Sequence, residues 1–188
     1  YESLAIQMLF NGNYIFSNFL PMSYLPTWIV LTTPLISIIL FLLGYIYLFK
    51  RFFTRLIKVD TVSNLNDFWR GKNEEMDFII FFNFSLIFFY IIFFSPVLYT
   101  GWRHLYFLHT FMTYICCIAL YSINLKFKNR IVIFVISLII CANFYEIKKF
   151  HPFQSLYFNQ LLQENKKNSF EVDYWAIGGT RFLKEIIS

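Results

Sequence analysis

The chain has 188 residues, of which 58% are hydrophobic and 23% aromatic, and it carries a formal net charge of +5. Soluble domains average about half apolar residues and far fewer aromatics, so the composition indicates a chain dissolved in lipid. In a soluble protein the positive charge would suggest nucleic acid. Here its distribution along the chain explains it better, and we predict no nucleic-acid partner.

Three stretches without a charged residue are predicted to cross a bilayer. They are residues 29–49, 78–98 and 105–125, and each supplies the ~20 apolar residues that a helix needs to span a hydrocarbon core of ~30 Å. Residues 131–147 hold a shorter apolar run, which we predict as a fourth span because flanking Lys and Arg side chains can snorkel to the interface. A re-entrant or buried helix is the alternative for this run.

Lipid also restricts the fold class, because every backbone N–H and C=O inside a membrane must be satisfied within the protein. Continuous apolar runs without alternation argue against a barrel. We therefore expect an all-α membrane protein with about four transmembrane helices and a small, α-rich external appendage at the C-terminus.

Basic residues are sorted to one side of the predicted membrane. Loop 50–77, which includes a predicted interfacial helix, and loop 126–130 are rich in Lys and Arg, whereas residues 1–28 hold none. By the positive-inside rule these two loops are cytoplasmic, which places residues 1–28, the turn 99–104 and the segment 148–188 outside. The tail also carries basic residues, but long terminal segments are translocated despite their charge. The predicted location is the cytoplasmic (inner) membrane, with a periplasmic tail.

The external turn is the strongest candidate for a binding site. Arg103 and His104 stand at the predicted membrane surface beside the aromatic residues Tyr99, Trp102 and Tyr106. A guanidinium suits bidentate contact with a phosphate, and this contact strengthens in a partly desolvated interface. A phosphate at that depth belongs to a lipid, so we predict a lipid-phosphate site. Snorkelling to ordinary headgroups is the alternative.

Two further external segments carry candidate contacts. Residues 20–28 are predicted either to anchor the chain among the headgroups, through Tyr24 and Trp28, or to form one wall of a groove for a lipid substrate. Apolar residues at helical spacing predict a short amphipathic helix within residues 153–162, lying either on the membrane or on the helix bundle. The following side chains suit either a sugar or acceptor contact or a structural hydrogen bond: His151, Gln154, Tyr157, Asn159, Asp173 and Trp175.

No arrangement typical of a catalytic or metal site is found in the sequence. His104 and His109 are too far apart around a helix to share one face, and the three cysteines lie in predicted spans, where thiols act as small hydrophobes. A glycine loop for phosphate, a nucleophile elbow and a HExxH helix are absent. The chain begins at Tyr1 without a Met or signal sequence, and we expect it to be the C-terminal part of a longer protein.

Three external motifs together resemble a known family. They are LPxxYLPxWIxxTTP at residues 20–34, YxGWRHLYF at residues 99–107, and HPFQxxYFN followed by FEVDYW within residues 151–175. In order and spacing they resemble the C-terminal half of bacterial membrane glycosyltransferases of the GT-C type, relatives of the dolichyl-phosphate-mannose protein mannosyltransferases and the aminoarabinose transferases. The resemblance covers nearly the whole chain.

This resemblance implies an enzyme of the cell envelope that transfers a sugar from a polyprenyl-phosphate donor to an acceptor outside the cytoplasmic membrane. The family's catalytic acidic residues lie in a first external loop without a counterpart here, so we expect no catalytic residue in this chain, and any divalent metal would be held by residues outside it. The implied role of Arg103, with His104 or Tyr106, is to neutralise the donor phosphate. Expected partners are membrane lipids, the polyprenyl-phosphate sugar and the N-terminal remainder of the same protein.

Two other functions stay open at this point. A non-enzymatic polytopic protein, such as a transporter half or an assembly subunit, would carry ionisable groups or broken helices near the bilayer midplane. The predicted helix interiors offer little of this kind, namely Asn83, His109 and Asn143. A lipid-linked polysaccharide polymerase or ligase would share the external lipid-phosphate site.

Overall fold

The computed structural model describes residues 5–57, 69–99, 101–126, 129–151 and 157–171. In chain order these residues form β1 (Gln7–Phe10), β2 (Asn13–Phe16), α1 (Tyr24–Thr32), α2 (Leu35–Ile57), α3 (Lys72–Phe94), α4 (Leu108–Lys126), α5 (Asn129–Phe150) and a 3-10 helix (Glu164–Ser169). The fold is mostly helical, as the sequence predicts, and it adds one small antiparallel sheet.

Three of the helices are long and apolar enough to cross a membrane. They are α2, α3 and the segment Leu108–Leu125 of α4, with mean hydropathies of 1.8, 2.2 and 1.4. Only 22% of the apolar window of each helix is buried within the chain, as expected of side chains that face lipid. Helix α5 forms where the fourth span is predicted, but among the described residues it does not meet the same criterion. The fourth span stays a prediction.

The first span begins later than its charge-free run predicts. Residues 29–49 predict one helix, but α1 ends at Thr32 and α2 starts at Leu35. Thr33 is extended, at φ −100° and ψ 137°, because a residue before proline is driven out of the helical region. Pro34 therefore separates two helices instead of lying in the first turn of one, and α2 continues to Ile57.

The other two spans are shifted for similar local reasons. Helix α3 starts at Lys72 instead of residue 78, with two glutamates in its first turn, where the helix dipole favours negative charge. It ends at Phe94 instead of residue 98, because Ser95 precedes a proline and adopts a φ of +41°. Helix α4 starts at Leu108 instead of residue 105.

The amino-terminal segment forms a β-hairpin that the all-α prediction misses. Strands β1 and β2 pair with Met8 opposite Ile15 and Phe10 opposite Asn13. The loop between them is Asn11-Gly12, at φ +49° and +81°. A type I′ turn requires positive φ at both central positions, and Asn-Gly is its preferred sequence. This dipeptide between two apolar runs was the signal for the hairpin.

The chain divides into two compact units, Tyr1–Leu35 with Ile91–His104 and Leu138–Ser188, and Ile36–Tyr90 with Leu105–Ser137. The first unit has an aromatic core around Trp28. The Trp28 ring stacks on Phe158 at 6.0 Å and meets the edge of Phe170 at 5.8 Å between centroids. The hairpin and the tail thus pack on α1.

The second unit contains a close helix contact and a partly buried ion pair. A Cβ on Gly44 would collide with the carbonyl oxygen of the fully buried Ile115, so only glycine permits this approach of α2 and α4. Arg51 pairs with Asp77 at 2.6 Å, and the Tyr114 hydroxyl donates to the other Asp77 oxygen at 2.6 Å. The predicted loop 50–77 therefore contains helical residues whose charges are paired between α2 and α3.

Candidate functional site

The turn at residues 99–104 is hydrogen-bonded to α1 inside the first unit. The buried Tyr24 hydroxyl accepts from the Gly101 N–H at 3.0 Å and donates to the Tyr99 carbonyl at 3.4 Å. The Trp102 indole N–H donates to Thr32 Oγ1 at 2.7 Å. Gly101 has a φ of +65°, a conformation that a glycine adopts without strain. Two buried side chains from different segments thus fix the shape of the turn.

The tail is attached to the same helix through Asn159. Its side-chain Nδ2 donates to the Val30 carbonyl at 2.5 Å and to the Thr33 carbonyl at 2.7 Å. In an uninterrupted helix the Val30 carbonyl would accept from the N–H of residue 34, but that residue is a proline without an N–H. Asn159 therefore supplies from the tail the donor that Pro34 lacks.

Arg103 and His104 are exposed on the turn that these contacts hold. The neighbouring Trp102 is buried, while the Tyr99 ring stays partly exposed and lies 4.7 Å from the His104 ring. The structure thus brings the rings of Tyr99 and His104 together, and Arg103 is exposed next to His104 in the chain. Trp102 belongs to the supporting framework, since its indole is buried and hydrogen-bonded. The turn can present a cation and an imidazole to an anionic ligand without first being ordered.

Tyr106, the other aromatic residue assigned to this site, belongs to the second unit. It is exposed there, and its ring lies 5.5 Å from the ring of His109.

The tail candidates have different environments. Asn159 is buried and makes structural hydrogen bonds, which is one of the two roles predicted for it. Tyr157 is half-buried, and burial, followed by the nearby Glu146 carboxylate, raises the pKa of its hydroxyl. His151 is exposed. The remaining candidates lie outside the described residues: Gln154, Asp173 and Trp175.

The predicted amphipathic helix at residues 153–162 is not formed in the part that the structure describes. Residues 157–163 have turn and irregular backbone. Phe158 and Leu162 are buried in the first unit, and the backbone N–H of Asn159 donates to the Leu31 carbonyl at 2.8 Å. Of the apolar positions in the predicted pattern, Leu162 is buried but Leu161 is 54% exposed, so the described part of the pattern does not form one buried face.

Tyr24 and Trp28 do not form an exposed anchor among the headgroups, which is one of the two roles predicted for residues 20–28. Both are buried in the aromatic core, and sequence reasoning missed that the hairpin and the tail would cover them. The indole Nε1 of Trp28 and Oγ1 of Thr33 are buried without a hydrogen-bond partner in the described structure. These residues position the turn and the tail instead of contacting headgroups.

The described residues contain no group of three or more His, Cys, Asp and Glu side chains that could hold a metal ion. Cys116, Cys117 and Cys141 are free thiols. No protein-family model, curated protein or solved structure matches this chain. The resemblance to membrane glycosyltransferases therefore depends on its three motifs alone.

Proposed function

We propose that the chain is the donor-binding membrane part of a glycosyltransferase that transfers a sugar from a polyprenyl phosphate outside the cytoplasmic membrane. One observation carries the proposal: within the first unit, the motif segment at residues 20–34 is hydrogen-bonded both to Gly101 and Trp102 of the second motif and to Asn159 of the third. Motifs that serve a single binding site must lie near one another in the fold, and the second of these motifs carries the exposed Arg103 and His104.

The chemistry of the turn suits a lipid phosphate. The guanidinium of Arg103 offers parallel N–H donors that match two phosphate oxygens. When a sugar–phosphate bond breaks, negative charge grows on the phosphate, so a cation held beside it stabilises the transition state more than the ground state. The His104 ring, packed against Tyr99, can donate a further hydrogen bond. Trp102 and Tyr24 hold the turn in place before the ligand arrives.

The test is binding of a polyprenyl phosphate to the purified chain in lipid nanodiscs. Binding is measured in preference to turnover because the resemblance places the catalytic acids elsewhere. Losing a hydrogen bond to a charged group costs about 1.5–3 kcal/mol, so Arg103→Ala should weaken binding about ten- to hundredfold. Arg103→Lys should also bind more weakly, because an ammonium cannot reproduce the planar fork.

Lys148→Ala is the matched control, since it removes one positive charge from an exposed position in the same unit. Its effect on binding should be small. If Arg103→Ala binds as tightly as the unaltered chain, or if Lys148→Ala causes the same loss, the attraction is general surface electrostatics. A non-enzymatic membrane protein would then be the better description.

A further inference from the structure

The outer face of the hairpin and the loop after it present large apolar side chains to the surroundings. Alternation along β2 directs Tyr14 and Phe16 away from the core, and they are 71% and 48% exposed. In the loop that follows, Phe19 and Met22 are 76% and 64% exposed. We call these four side chains the hairpin surface.

The hairpin surface belongs to an ordered element and not to a frayed end. On the opposite face Met8 and Phe10 are buried, and the Phe10 ring lies 5.1 Å from that of Tyr24. The Gly12 N–H donates to the Ser169 carbonyl at 2.8 Å, and the Leu9 carbonyl accepts from the N–H of Glu171 at 3.0 Å. The inner face of the hairpin is therefore packed inside the first unit, whereas the outer face is exposed.

The hairpin surface is joined to the end of a candidate membrane-spanning helix. Ser95, which follows the last residue of α3, donates through its hydroxyl to the Leu20 carbonyl at 3.2 Å. The flanking rings of Phe19 and Phe94 are 76% and 72% exposed. Phe94 is the last residue of α3, a helix apolar enough to cross a bilayer. Phe19 therefore lies beside the end of this candidate span.

The lack of charged residues around the hairpin surface in the sequence favours lipid over a charged protein partner. Residues 5–34 contain no Asp, Glu, Lys or Arg, so the segment that carries this surface has no charge of its own to offer a protein partner. Aromatic side chains favour the headgroup region, where an apolar ring and wet polar groups coexist. A two-stranded ribbon does not enter the hydrocarbon core, because any N–H and C=O groups left unpaired along its edges would find no water there.

We propose that the hairpin surface, Tyr14, Phe16, Phe19 and Met22, docks into the headgroup region of the bilayer at the end of α3. The hairpin then acts as an interfacial anchor that holds the first unit, including the turn with Arg103, at the level of lipid headgroups. This anchoring does not depend on the proposed glycosyltransferase function.

The test uses nitroxide labels on the full chain, reconstituted in vesicles of phosphatidylethanolamine and phosphatidylglycerol, after Cys116, Cys117 and Cys141 have been replaced by serine. Labels at Tyr14→Cys and Phe19→Cys are compared with one at Asn13→Cys, an exposed polar position of the same hairpin. Collision with oxygen reports lipid, and collision with a water-soluble nickel chelate reports water. The ratio of oxygen to nickel accessibility should be several-fold higher at 14 and 19 than at 13.

Two results would overturn the anchor. If nickel reaches 14 and 19 as freely as 13, the hairpin surface faces water. If both probes are excluded from 14 and 19, protein covers it, either a second copy of the chain or another subunit. Phe16→Cys and Met22→Cys repeat the measurement on the same surface if one of the first variants fails to fold, as judged by its helical circular dichroism.

Discussion

The attachment of the tail to α1 should depend on the side chain of Asn159. Asn159→Leu keeps the approximate volume but removes both Nδ2 hydrogens, and it leaves the carbonyls of Val30 and Thr33 without their donor. Pro34 cannot compensate, because it has no N–H. The substitution also removes the oxygen that accepts from the Leu161 N–H at 3.0 Å.

The size of the effect follows from what is left unpaired. A buried polar group that loses its partner costs about 1–3 kcal/mol. Two carbonyls lose a donor, but the loosened tail lets water reach them, so we expect the free energy of unfolding to fall by about 3 kcal/mol.

Unfolding by sodium dodecyl sulfate in mixed micelles, followed by circular dichroism, measures this loss. Tryptophan emission, to which Trp28 contributes together with three other tryptophans, gives a second signal, because the Trp28 ring stacks on Phe158 and should become more exposed to water when the tail detaches. The control is Gln160→Leu, which changes the exposed neighbour in the same way. Equal stabilities of Asn159→Leu and Gln160→Leu would refute the reasoning.

A double substitution tests the role of the proline directly. Pro34→Ala supplies an N–H that can bond to the Val30 carbonyl. In that background Asn159→Leu should cost about 1 kcal/mol less than in the unaltered chain. If the two substitutions are strictly additive, Asn159 does not replace the donor that Pro34 lacks.

Two predictions concern the second unit. Asp77→Asn leaves the Arg51 guanidinium without its anion. Because the Arg51 side chain retains 21% exposure, we expect the free energy of unfolding to fall by about 2–3 kcal/mol, which is below the full cost of breaking a buried pair. The control is Glu74→Gln, in the more exposed pair with Arg55, and an equal or larger loss in this control would contradict the prediction. Gly44→Ala should lower the unfolding free energy by about 2 kcal/mol or more, since α2 and α4 must move apart to admit the methyl group; an unchanged detergent midpoint would show that the helices do not approach so closely.

Much of the helical architecture could be predicted from the sequence, because charge-free runs of sufficient length leave few alternatives in lipid. The helix ends could not. A charge-free run stops at the first charge, whereas α2 and α3 continue through Arg51 and Asp77, which neutralise each other. Which charges are paired depends on the tertiary structure and cannot be seen in the sequence. The end of α2 and the start of α3 were therefore assigned to the loop 50–77.

The candidate site was predicted in part. Arg103 and His104 stand out as a cation and an imidazole at a predicted membrane surface, and both are exposed. The roles of the aromatic residues were not evident, because an indole suits a headgroup belt and a packed core equally well. Burial of Tyr24 and Trp28 depends on the hairpin and the tail, and of these only the hairpin had a local signal, Asn11-Gly12.

The contact between Asn159 and α1 has a consequence for biosynthesis. The asparagine follows Val30 by 129 residues, and at roughly 5–20 residues per second the ribosome takes about 6–26 seconds to reach it. Throughout that interval the Val30 carbonyl, which receives no hydrogen bond from Pro34, must be solvated by water or shielded by the insertion machinery. Helix α1 is therefore completed only by a segment that is translated 129 residues later.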